Sequence, residues 1–178
     1  AMSKVPNYVR VNRVVRAFPL KSIDGGLKYT NDRQLVKNKM DDVGIRCKDS
    51  REREIKFRRI NLTDIRLNID KYISSGGIEY FISYTSNNKR LLYGFIRLRI
   101  NKKMDDVLEC IKDHALVREL HVYGVHTCVG TNNKNNAQHL GLGTKLLKIA
   151  EDTCIKNKCY KIAVISGVGV RNYYQKRI

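Results

Sequence analysis

The 178-residue sequence predicts a mixed α/β (α+β) fold, with a mostly antiparallel sheet and flanking helices. Three observations predict it. Two β-rich runs, IEYFISYT (78–85) and RLLYGFIRLRI (90–100), flank the turn Ser86-Asn87-Asn88-Lys89, the pattern of a hairpin. A Val- and Leu-rich run follows (ALVRELHVYGV, 115–125), and after it a helix-like stretch, TKLLKIAEDTCIKN, opened by Gly141 and Gly143. A further apolar run, YKIAVIS (160–166), completes a strand–helix–strand crossover, and such a crossover joins parallel strands.

The remaining elements follow from local pattern. Residues 8–18 alternate valines with Arg10, Arg13 and Arg16, which reads as a short exposed strand ending near Pro19. Asp24-Gly25-Gly26 marks a turn. Asn31, with Gln34 three residues on, reads as the N-cap of a helix running to about Val43, and Gly44 ends it. The run REREIKFRRI (51–60) alternates and reads as a strand. Asp64 to Ser74 reads as a helix that stops before Gly76-Gly77, and 104–113 as an acidic loop. The loop 126–136 (HTCVGTNNKNN) holds four asparagines in five positions and is expected to be mobile. A last short helix begins near Arg171. There is no internal repeat.

Composition narrows the function classes. No apolar run reaches membrane-spanning length and the first residues lack an apolar signal-peptide core, so a cytoplasmic protein without a membrane partner is expected. Ala1-Met2-Ser3 reads as preceding the natural start. Cysteines at 47, 110, 128, 154 and 159 are odd in number and irregularly spaced, as expected of reduced thiols, and no metal site is expected. The sequon Asn61-Leu62-Thr63 reads as a chance match. The net charge is +18: residues 1–60 carry 16 basic against 7 acidic side chains, 61–120 carry 10 against 8, and 121–178 carry 9 against 2. An excess at both ends of the chain points to a polyanion partner.

The chemistry concentrates in Gln138-His139-Leu140-Gly141-Leu142-Gly143, a Q/R-x-x-G-x-G pattern at a helix start. Glycines let a backbone approach a bulky ligand, and free helix-start amides suit a pyrophosphate. Taken with VRELHVYG (117–124) and KIAVISGVGVRNYY (161–174), the pattern resembles the GCN5-related acetyltransferase (KAT) domain of the Elongator catalytic subunit. PNYVRVNRVVRAFP (6–19) and RCKDSREREI (46–55) are similar to the stretch leading into that domain from the subunit's radical-SAM domain. The resemblance implies a basic segment at 1–60 and an acetyl-CoA-binding domain at 61–178. It implies that Glu119, Leu120, His121 and Val122 pair with the pantetheine arm. Gln138, His139, Gly141, Leu142, Gly143 and Thr144 would cradle the pyrophosphate. Asn172 would bond the arm, and Tyr173 and Tyr174 would stand at the thioester, with Tyr174 protonating the leaving thiolate. Glu119 is a candidate general base or a salt-bridged strand carboxylate.

The implied activity is tRNA-triggered cleavage of acetyl-CoA for C5 modification (carboxymethylation) of the wobble uridine in tRNA. Other Elongator-type subunits or a radical-SAM domain would be partners. Two alternatives stay open: a lysine acetyltransferase acting on histones or other proteins, and a non-enzymatic tRNA-binding module with a vestigial cofactor site. The radical-SAM core is absent, so its iron–sulfur cluster and S-adenosylmethionine are not expected here. Leu140 stands where relatives have a polar or basic residue. The family's chain continues past the last helix into another strand, so an open sheet edge is expected. Gly167-Val168-Gly169 imitates half a dinucleotide fingerprint, but Asn172 replaces its third glycine, which excludes that reading.

Overall fold

Apolar residues recur at every second position in Ile65, Leu67 and Ile69, and again at Ile73. That is the period of a strand, and in the computed structural model Ile65–Ser74 is strand β1 rather than the expected helix. The structure describes residues 2–12, 20–22, 24–26, 32–56, 58, 61–101, 108–124 and 141–178. The two residues after β1, Ser75 and Gly76, have φ of 45° and 73°. Positive φ at both central positions makes a tight hairpin turn whose twist matches the strands it joins. The Gly76-Gly77 pair therefore marks a chain reversal, not a helix stop. Strand β2 (Gly77–Ser86) runs back along β1 in unbroken register from Ser74↔Gly77 to Ile65↔Ser86.

The expected second hairpin is present: β2 pairs antiparallel with β3 (Leu92–Asn101), and β3 with β4 (Ala115–Val122). Helix α3 (Leu142–Lys156) then leads to β5 (Ile162–Val164), which lies parallel to β4 as the crossover requires. The strand order is β1-β2-β3-β4-β5. α3 ends at Lys156, and two residues on Lys158 has φ 59°, while the amides of Lys158 and Cys159 bond the carbonyls of Ile155 and Cys154 at 2.9 Å each. This left-handed closure usually takes glycine, and a lysine there costs about 1 kcal/mol.

α3 covers one face of the sheet. Leu146, Leu147, Ala150 and Cys154 pack on Tyr80, Ile82, Ile96, Leu98, Ile100, Ala115 and Val117. Each fully buried aliphatic side chain contributes roughly 1.5–3 kcal/mol. Burial also pushes the Cys154 thiol up to about 12, which fits an inert packing residue.

The chain divides into two units, Ala1–Arg53 and Glu54–Ile178. Within the first, helix α1 (Asp32–Asp42) ends as expected: Gly44 has φ 67°, and Ile45 N donates to Met40 O at 2.8 Å. Among the described residues of 51–60, the expected strand does not form. Asp49 accepts the amide of Glu52 at 2.7 Å and so caps a one-turn helix, α2 (Ser50–Arg53). The other Asp49 oxygen accepts Val11 N at 2.9 Å, and Arg33 forks onto the same carboxylate. The described part of the strand expected at 8–18, residues 8–12, forms none, since Val11 bonds a side chain rather than a strand partner. Asn31, residues 13–19 and the loop 126–136 lie outside the described residues.

Candidate functional site

The site begins where two parallel strands part. β4 pairs with β5 only from Ala115↔Ile162 to Val117↔Val164, closed by Ile165 N to Val117 O at 2.9 Å. β4 continues to Val122, so Leu120–Val122 bond β3 on one side while no described residue pairs with them on the other. At the parting Arg97 faces Glu119 but Leu98 faces Val117, which leaves Arg118 as an extra residue, a β-bulge. The bulge shifts the alternation by one. Val117 points to the α3 side before it, Leu120 after it, and both meet the core under α3.

A cleft of about 630 Å³ lies along the unpaired end of β4. Leu120 and Val122 form one wall. Gly141, Gly143 and Thr144 form the end nearest α3, and Val170, Tyr173, Tyr174 and Arg177 close it from helix α4 (Arg171–Gln175) and the residues on either side of it. Gly141 has φ 65° and its missing Cβ faces open space. No side chain caps α3 at this end. Its first-turn amides and the positive end of its dipole therefore face the cleft mouth.

Gly143 is required for a different reason. A Cβ there would lie 2.5 Å from the Tyr173 hydroxyl. The Tyr173 ring stands edge-on to Tyr174, with centroids 5.3 Å apart. Burial raises the Tyr174 hydroxyl above its usual pKa, and Tyr173 adds to the rise. At neutral pH Tyr174 is therefore protonated, as a proton donor must be.

Arg177 was not found by sequence reasoning. Its guanidinium lies 4.1 Å over the Tyr173 ring, donates to Thr144 Oγ1 at 3.1 Å and to Tyr173 O at 3.1 Å. A fixed cation thus stands beside the first turn of α3. The terminal run Gln175-Lys176-Arg177 carried only a general basic signal.

The expected residues divide between two places. Leu120, Val122, Gly141, Gly143, Thr144, Tyr173 and Tyr174 line the cleft. Leu142 is buried beside Ile55 and Tyr93, and Asn172 is exposed on α4. Glu119 and His121 face the other side of the sheet: the carboxylate bonds Arg97 at 3.0 Å and lies 3.3 Å from His121, whose ring stacks on Phe95 and Tyr123. Gln138 and His139 lie outside the described residues. Among the described residues, no group of three or more His, Cys, Asp or Glu could hold a metal, and no helix is long and apolar enough to cross a membrane.

Comparison with known proteins gives the site its context. No protein-family model matches. Elongator complex protein 3 from Bos taurus and from Homo sapiens is 37% identical over 180 residues, covering 98% of this chain and 33% of each relative. That from Saccharomyces cerevisiae is 36% identical over 182 residues, with the same coverage. The chain therefore spans about a third of the length of the curated relatives it matches. Among solved structures, the archaeal Methanocaldococcus infernus Elp3 with a deleted N-terminus superposes with a TM-score of 0.78 at 33% identity, over 98% of this chain and 43% of that one. By shared sequence and shared backbone, the chain is a homologue of Elongator complex protein 3, matched along nearly all of its own length to one third of that protein's.

Proposed function

We propose that this chain carries a GCN5-related acetyltransferase domain, at about residues 61–178, that binds acetyl-CoA and serves tRNA modification within an Elongator-type assembly. The observation that carries the reading is the parting of β4 from β5 against the uncapped start of α3, with two tyrosines closing the gap. The residues fit the cofactor. The unpaired side of Leu120–Val122 offers backbone donors and acceptors to an extended arm, as an added strand would. The open space at Gly141, the first-turn amides of α3 and the Arg177 guanidinium suit a diphosphate.

When bound, acetyl-CoA would supply an activated acetyl thioester. Tyr174 holds a proton at its hydroxyl for a departing thiolate, and Tyr173 wedges against Gly143 to fix that helix in place. Glu119, tied to Arg97, holds the bulge that swings Leu120 into the cleft. The basic segment at 1–60 and the net charge of +18 suit a tRNA partner, with C5 of the wobble uridine as the acceptor and a radical-SAM domain as the partner that activates it.

The test is acetyl-CoA hydrolysis by this chain, with and without tRNA, at low and moderate salt. tRNA should stimulate turnover and salt should weaken the stimulation. Tyr174→Phe should lower the rate at least about a hundredfold, the low end of the range for losing one general acid, while leaving acetyl-CoA affinity within a few-fold. An unchanged rate in Tyr174→Phe would remove the tyrosine from the chemistry. Absence of acetyl-CoA binding by calorimetry would defeat the reading itself.

A further inference from the structure

We propose that the end of the sheet opposite the cleft carries a docking site for single-stranded RNA, built on Tyr160, Lys112, Lys158 and Lys161. A hollow of about 400 Å³ opens there between the end of β3, the start of β4 and the link from α3 to β5. That is the size of a nucleotide-scale pocket. Among the described residues, the three lysines line it against one carboxylate, Asp113; Glu109 reaches Lys112 only at 3.5 Å from a largely exposed position.

Two features are unexplained by folding. Tyr160 is 78% exposed at the rim, a large ring that no ring contact among the described residues covers. An aromatic side chain in that position serves as a platform for an unstacked base. Lys158 occupies the left-handed position after α3, φ 59°, where glycine would close the helix with less strain. Strain retained at a charged residue is a pointer to function. The negative end of α3 does not oppose an anion strongly here. The carbonyls of Thr153, Cys154 and Ile155 already accept the amides of Asn157, Lys158 and Cys159.

The hollow and the cleft lie at opposite ends of α3, whose 15 residues span about 22 Å. RNA held at one end therefore leaves the other free. The choice of RNA over other nucleic acid rests on the tRNA reading above; the charge, the ring and the hollow do not.

The test measures binding of a short single-stranded RNA by fluorescence anisotropy over a salt series, with a duplex RNA and inorganic phosphate as competitors. Lys158→Gly with Lys161→Ala should weaken binding about tenfold and flatten the salt dependence by about 0.7 per lysine removed. Tyr160→Ala should weaken it about tenfold or more, the loss expected for one stacked base. Lys158→Gly alone should melt no lower than the parent, so lost binding is not lost folding. Acetyl-CoA binding should be unchanged in all three. RNA bound equally by every variant would overturn the site and leave the tRNA reading intact. Competition by phosphate as strong as by RNA would reduce the hollow to an anion site and overturn the proposal. No RNA bound by the parent even at low salt would overturn both.

Discussion

The two faces of one sheet are built on different physics. Toward α3, β2 and β3 present Tyr80, Ile82, Ile96, Leu98 and Ile100, and the helix answers with Leu146, Leu147, Ala150 and Cys154. On the opposite face the same strands present Glu79, Phe81, Phe95, Arg97 and Arg99. There Glu79, 1% exposed, accepts Arg99 at 3.0 Å and Arg118 at 2.8 Å, while Arg97 lies over the rings of Phe81 and Phe95. The first face is held by area, which is non-directional. The second is held by bonds with fixed partners, spanning β2, β3 and β4. It includes both residues at the bulge, Arg118 and Glu119. The apolar face supplies stability; the charged face fixes where β4 bends.

Three substitutions test that division, in descending size. Leu147→Ala, on the α3 face, should cost about 3 kcal/mol in denaturant unfolding, the usual range for a buried leucine being 2–5. Glu79→Ala should cost about 2 kcal/mol, less than the 3–5 expected when a wholly buried pair is broken, because Arg118 is half exposed and can turn to water. A Glu79 loss larger than the Leu147 loss would reverse the comparison. Glu119→Gln should cost about 0.5 kcal/mol, since its carboxylate is one-third exposed and already shared by Arg97 and His121. The same variant should lower acetyl-CoA turnover less than tenfold. A collapse of turnover with stability intact would make Glu119 a base and not an anchor.

What the sequence disclosed follows the same line. The α3 face was legible because its signals are local: an Asn-rich turn between two aromatic strands, and a glycine before a helix at 142. β1 departs from the expected helix although its alternation is plain, because Gly76-Gly77 reads as a stop, whereas Ser75 and Gly76, both at positive φ, make a turn. α2 replaced a strand through one capping carboxylate, Asp49, that alternation cannot reveal. The charged face was not legible. Its bonds join residues 20 to 39 positions apart, such as Arg99 to Glu79 and Arg118 to Glu79. In the site, the glycines and tyrosines carried a pattern of their own. Arg177 did not, because its partner Thr144 lies 33 residues back. The direction of Glu119 was also hidden, since it depends on the bulge one residue before it.

The bulge also decides which changes of length β4 tolerates. A strand with strict alternation can lose two residues and keep its faces. Here a single deletion at Arg118 would restore strict alternation and leave Leu120 and Val122 toward α3, with Glu119 and His121 still on the opposite face. A substitution or a deletion at 118 alters one ion pair, with Glu79, and keeps the lining of the cleft. The bulge is thus the place where β4 can lose one residue without turning its cleft wall over, a tolerance that a strand of strict alternation lacks.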